Sequence, residues 1–110
     1  MHYDLKILIV YNPNSGKKRD IKAIIGETLL LADIRYEFYI TKQTPFDAMN
    51  KIMTLEIDHY SAIVAVGGDG TIHEVINGLL RRQDRKRLPL AFIPNGSGND
   101  TCGNINSNDV

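Results

Sequence analysis

Three glycine-rich segments carry the residues of this chain best suited to chemistry: NPNSGK at 12–17, VGGDGTIHEVINGL at 66–79 and PNGSGND at 94–100. Glycine allows a backbone to approach a ligand closely and to adopt positive φ, so Gly67, Gly68 and Gly70 suit a tight turn around phosphate. A helix opening there would add N–H groups that favour an anion. Asp69, set among these glycines, places negative charge beside that phosphate. Such a placement is costly unless the carboxylate serves a metal or a proton transfer, which makes Asp69 the candidate catalytic and metal-linked residue. The competing local account is an aspartate that bonds its own turn. Thr71 and Glu74 have the spacing of a capping box and on that account would only satisfy the start of their helix.

In the first segment Asn12 and Asn14 can bond backbone, Gly16 opens the turn and Lys17 can meet a phosphate as a point charge. It is not a Walker A loop, which needs four residues between its first glycine and the GK pair, then Ser or Thr. In the third segment Pro94 fixes the exit, Gly96 and Gly98 allow a second phosphate-hugging turn, and Ser97 with Asp100 repeats the spacing of a helix start. Asn99 can bridge to a nucleotide or hold the adjoining turn. Neither turn gives GxGxxG with a ribose-binding acid at its usual distance, which weighs against dinucleotide binding. His73 precedes Glu74, but HEVIN lacks the second histidine of a zinc protease motif, so His73 is assigned to the helix surface. Cys102 has no activating base near it in sequence and is assigned no catalysis.

The elements that must position these turns alternate. Residues 5–11 form an apolar run suited to a central parallel strand. Ile21, Ile24, Ile25, Thr28, Leu29 and Ala32 then recur at helical spacing despite Gly26. Residues 35–41 are aromatic and β-branched enough for a second strand. Thr44 and Pro45 predict a capped helix start with Phe46, Met49, Met53 and Ile57 facing inward. A third strand at 62–66 leads through GGDGT into a helix with Ile72, Val75, Ile76, Leu79 and Leu80 as its stripe; the fourth strand spans 88–93. The expected fold is therefore α/β: a three-layer, open, mostly parallel sheet with helices on both faces. Ligands in such sheets sit beyond the C-terminal ends of the strands, and all three glycine-rich turns follow strand ends.

The 110 residues suit one domain, and 13 basic against 13 acidic residues give no support to a nucleic-acid-binding surface. Any anion site must be local. With one cysteine no internal disulfide forms, so a reducing, cytoplasmic setting is the simplest expectation. No apolar run approaches the roughly 18 residues of a membrane span. The basic run Arg81 to Arg87 is expected at the solvated end of a helix, with peripheral contact to an anionic membrane as the sharper alternative. Oligomeric state is left open.

Taken together, NPNSGK, VGGDGTIHEVINGL and IPNGSGND resemble the catalytic domain shared by diacylglycerol kinases, sphingosine and ceramide kinases and their bacterial relatives; the likeness runs from Lys6 to Asp100. It is more distantly similar to NAD kinases, which share GGDGT. The resemblance implies an ATP-dependent phosphorylation of a lipid hydroxyl, with diacylglycerol as first substrate and Mg²⁺ accompanying ATP. It implies Asp69 at the reaction centre as catalytic and metal-positioning residue. Around the nucleotide it implies Gly67, Gly68, Gly70 and Thr71 on the phosphates, Asn12, Ser15, Gly16 and Lys17 from the first turn, and Gly96, Ser97, Gly98 and Asn99 from the fourth, with Glu74 in support. Residues 1–110 are then expected to be the N-terminal α/β nucleotide-binding half of a two-domain enzyme whose C-terminal β-rich, lipid-binding domain lies outside this sequence. After Asp100 the chain departs from many relatives, with Thr101-Cys102-Gly103 in place of a small apolar and a basic residue. An NAD kinase-like enzyme and a non-catalytic nucleotide-binding or interaction module are the alternatives.

Overall fold

The computed structural model describes residues 5–15 and 21–95. Strands β1 (Lys6–Tyr11), β2 (Arg35–Ile40), β3 (Ala62–Gly67) and β4 (Leu90–Pro94) alternate with helices α1 (Ile21–Leu31), α2 (Asp47–Thr54) and α3 (Asp69–Leu80). The sheet is parallel throughout, in the order β2-β1-β3-β4. Chain order reverses between β1 and β3, which makes the crevice above those two strands the switch point where ligands of such sheets bind.

Because side chains alternate across a strand, the central strands feed two cores. Leu8 and Val10 of β1 join Ile63 and Ala65 of β3 under α2 and α3, where Ala48, Ile52, Val75 and Leu79 close the layer. Ile9 and Val66 point the other way, toward Ile25 of α1 with Ile7, Phe38 and Val64 around them. Gly26, unfavourable inside a helix, sits in α1 because a Cβ there would lie 2.9 Å from the Tyr36 hydroxyl.

Several local expectations are corrected. Thr44 and Pro45 do not open α2; they lie in a turn whose Thr44 carbonyl accepts from Asp47 N (3.3 Å), and the helix is preceded by Phe46 in the left-handed region (φ 66°, ψ 17°) with no side-chain cap. The inward residues of α2 are accordingly Ala48, Ile52 and the following Leu55, while Phe46 is exposed and Met49 and Met53 are half-buried; Ile57 is buried as expected, in a short 3₁₀ turn. Ile24 and Thr28 of α1, Ala32 just past its end, and Ile76 and Leu80 of α3 are exposed, leaving narrower stripes centred on Ile25 and on Val75 and Leu79. Strand β4 begins at Leu90 because Pro89 has no N–H to donate, although its carbonyl accepts from Ile63 N (2.9 Å). Arg82 is not a solvated residue of the basic run: it is 8% exposed and turned inward.

Candidate functional site

Each strand end is tied to its neighbour by one backbone hydrogen bond beyond the ladder. Thr41 N donates to the Tyr11 carbonyl (2.9 Å), Asn12 N to Val66 (2.9 Å) and Asn95 N to Gly67 (2.9 Å). The residues that leave the four strands therefore form a row along the C-terminal edge of the sheet. Thr41 and Asn95 are buried in it, an uncommon fate for polar side chains. The Asn95 Nδ2 has no hydrogen-bond partner among the described residues.

Above β1 and β3 this row opens into a cleft of about 400 Å³. Asn12, Thr41, Gly68, Gly70, Thr71 and Glu74 line it, and residues 42–45 with Asp47 and Ala48 form its opposite wall. Asn12 is set by its own turn, where its Oδ1 accepts from Asn14 N (3.0 Å) and its Nδ2 donates to Thr71 Oγ1 (3.3 Å). The wall is held by Asp47, whose Oδ2 accepts from the Tyr39 hydroxyl (2.7 Å) and from Lys42 N (2.9 Å). Burial opposes ionisation of Asp47, but the Lys42 N–H and the Tyr39 hydroxyl outweigh it and hold the carboxyl below its usual range. Burial first, and the Asp47 carboxylate second, push the Tyr39 hydroxyl up to about 12.

The glycines of the central turn have different reasons for being there. A Cβ on Gly67 would fall 2.5 Å from Thr71 Oγ1 and 3.2 Å from Asn12 Cβ, so this glycine is required by the protein's own packing. A Cβ on Gly68 or Gly70 would meet none of the described residues within 4 Å. None of the described glycines has positive φ; Gly68, which precedes α3, is extended (φ −95°, ψ −170°). The expected need for left-handed backbone is thus replaced by open space on the cleft side of the turn. Thr71 N and Ile72 N donate to the Gly68 carbonyl (3.1 and 3.3 Å), so among the described residues the N–H groups of Asp69 and Gly70 are the helix-start donors open to an anion.

Asp69 is the exposed first residue of α3. The helix dipole favours an acid at this position whatever its chemical role. Thr71 and Glu74 do not form the expected capping box: α3 starts before Thr71, whose hydroxyl faces Gly67 and Asn12. The Glu74 Oε1 instead accepts from Ala48 N (3.0 Å) and Met49 N (3.2 Å) of α2. Of the other expected nucleotide contacts, Ser15 ends a short 3₁₀ turn after β1, and Gly16, Lys17, Gly96, Ser97, Gly98 and Asn99 lie outside the described residues, as do Cys102 and the helix expected after Ser97. Thr41 was not singled out from the sequence, and Asp47 was expected only as the acid three residues past a Thr44 cap. The position of Thr41 directly after a strand was the available signal, but without a glycine beside it the turn looked ordinary.

No group of three or more His, Cys, Asp or Glu residues gathers among the described residues. Mg²⁺ typically takes one or two carboxylates and fills its other positions with water and phosphate oxygens, so a nucleotide-borne ion would not require such a group. None of the described helices is long and apolar enough to cross a membrane.

Residues 6–109 match the family model of the diacylglycerol kinase catalytic domain. Sphingosine kinase 1 of Arabidopsis thaliana is 39% identical over 100 residues, which cover 86% of this chain and 20% of that protein. Sphingosine kinase B of Dictyostelium discoideum is 37% identical over 108 residues, 94% of this chain and 14% of that one. Among solved structures, a diacylglycerol kinase from Bacillus anthracis superposes with a TM-score of 0.65 at 30% identity, covering 91% of this chain and 36% of its own. The chain thus spans well under half the length of these relatives.

Proposed function

Because this chain belongs to the diacylglycerol kinase catalytic domain family, we propose that it forms the nucleotide-binding half of a kinase that transfers the γ-phosphoryl group of ATP to the hydroxyl of a lipid. The observation that carries the reading is the open backbone at Gly68 and Gly70, facing a polar cleft at the switch point of the sheet. Among the described residues nothing packs against a Cβ at either position, and a phosphate group that must approach the backbone gives a reason for glycine there.

In the proposed reaction the lipid oxygen bonds to the γ-phosphorus as the bond to the bridging oxygen of ADP breaks. Proton loss from the alcohol accompanies bond formation, since a hydroxyl is far too weak an acid to ionise beforehand. Asp69 receives that proton or holds the ion that accompanies the phosphates. The α3 N-terminus and the backbone of residues 68–71 orient the phosphates and stabilise their charge, contributing electrostatic preorganisation more than covalent chemistry. Mg²⁺, when bound with ATP, supplies positive charge to the same oxygens. Thr41 and Asn12 flank the nucleotide from the neighbouring strand ends.

The lipid is proposed as a long-chain alcohol of the diacylglycerol or sphingoid type. Relatives at 30–39% identity include sphingosine kinases, and the superposed solved structure is that of a diacylglycerol kinase. The kinase would meet its substrate as a peripheral protein.

An amide NMR titration of this chain with ATP, with and without Mg²⁺, tests the reading. Saturable shifts at Asn12, Thr41 and Gly67 to Thr71 are expected, with the Mg²⁺ response lost in Asp69→Asn. A folded spectrum in which those amides stay unmoved at millimolar ATP, or respond to NAD in preference to ATP, would sink it.

A further inference from the structure

Helices α2 and α3 lie on the same face of the sheet, and α2 lacks a side-chain cap of its own. Both of its ends are instead completed by α3 and the turn that follows. At the N-terminus, Glu74 Oε1 takes the N–H groups of Ala48 and Met49 (3.0 and 3.2 Å), which a helix cannot satisfy internally. At the C-terminal end, Arg82 Nη1 donates to the carbonyls of Ile52 (2.8 Å) and Leu55 (2.9 Å), while its Nε and Nη2 are held by Asp84 (3.0 and 2.6 Å). Midway, Gly78 lets the helices touch: a Cβ there would lie 2.7 Å from the Met49 carbonyl oxygen and 2.8 Å from Ile52 Cβ. Glu74, Gly78 and Arg82 recur at intervals of four and so share one side of α3 and its extension. An acid at the start of α2 and a base at its end also complement its dipole.

We infer that Glu74, Gly78 and Arg82 form a clamp that carries α2, and with it the cleft wall at 41–48, in fixed register with the Gly68–Thr71 turn. Glu74 is on this account a positioning residue for the nucleotide site, an assignment that rests on the reading of the cleft given above. The connection is continuous. Asp47 ties Lys42 and Tyr39 to the first turn of α2; Glu74 ties that turn to α3; and the start of α3 lines the cleft through Gly70 and Thr71. Arg82 is outside the cleft, at the other end of α2.

The test compares Glu74→Ala, Glu74→Gln, Gly78→Ala and Arg82→Met in this chain, reading amide hydrogen exchange without nucleotide and then ATP affinity. Glu74→Ala is expected to speed exchange at Ala48 and Met49 by about tenfold, the scale of losing a helix N-terminal acceptor, with Lys42 following and the β1 and β3 amides unchanged. Glu74→Gln, which keeps the acceptor oxygen, restores most of that protection. ATP affinity falls several-fold in Glu74→Ala, Gly78→Ala and Arg82→Met together, and is rescued in Glu74→Gln. Unchanged exchange at Ala48 and Met49 in Glu74→Ala overturns the clamp. Equal loss of affinity in both Glu74 variants, with Gly78→Ala and Arg82→Met at the wild-type value, overturns positioning in favour of direct contact by the carboxylate. Gly78→Ala carries the remote arm if Arg82→Met does not fold. Should the wild-type chain bind no ATP, the nucleotide reading fails by itself, and the Lys42 amide still decides whether the clamp holds the wall.

Discussion

At the scale of single residues, the glycines at 67, 68 and 70 do not all serve one physical purpose. A methyl on Gly67 collides with Thr71 and has little room to move, so Gly67→Ala is expected to cost about 1–3 kcal/mol by overpacking, measured by urea denaturation. Gly70→Ala enters open space inside a helix and should raise stability by about 0.5–1 kcal/mol, because alanine loses less backbone entropy. Gly68→Ala fits its extended backbone. Both variants are nonetheless expected to weaken ATP binding, since the added carbon occupies the space assigned to phosphate. A stabilised Gly70→Ala chain with undiminished ATP affinity would remove the main support for the site. In the proposed kinase, Asp69→Asn is expected to lower turnover by about 10² or more with a much smaller change in ATP affinity, the signature of a group acting in the transition state. Steady-state kinetics would separate the two effects.

At the scale of elements, the ends of α2 show how charge placement becomes pH dependence. The Arg82 guanidinium, and after it the Lys86 N–H, bring the Asp84 carboxyl from an ordinary 3.8 down to about 2. A group with a lowered folded value stabilises the native state above its unfolded value, and that contribution is lost as pH falls through the folded one. The unfolding midpoint should therefore decline between about pH 4 and pH 2, and Asp84→Asn should flatten this part of the profile. Asp47 has the same sign at the other end of α2, where acid would loosen the 41–47 wall. A profile for Asp84→Asn that retains the full acid decline would show that Arg82 is held by its carbonyl partners alone.

At the scale of the whole molecule, two unequal cores hold the sheet. The face under α2 and α3 contains most of the fully buried side chains, and the α1 face leaves Leu30 and Leu31 at 72% and 89% exposure. Ile52→Ala, beneath the point where Gly78 meets α2, is expected to cost about 2–5 kcal/mol, and Leu31→Ala to stay within about 0.5 kcal/mol, both by denaturant titration. The sequence by itself determined the alternation of strands and helices, the parallel α/β class and the placement of each glycine-rich turn after a strand. Those features are written in local periodicity and turn chemistry, which operate over a few neighbouring residues. Tertiary structure decided the rest. The Thr44-Pro45 cap gave way because α2 finds its acceptor on Glu74, 26 residues away from Ala48. Arg82, expected in solvent with the basic run, turned inward to carbonyls 27 and 30 residues distant. Thr41 became part of the cleft through its bond to Tyr11 on the adjacent strand. A polar group's partner is set by which elements pack together, and that choice depends on the burial of whole faces, a quantity no short window of sequence contains.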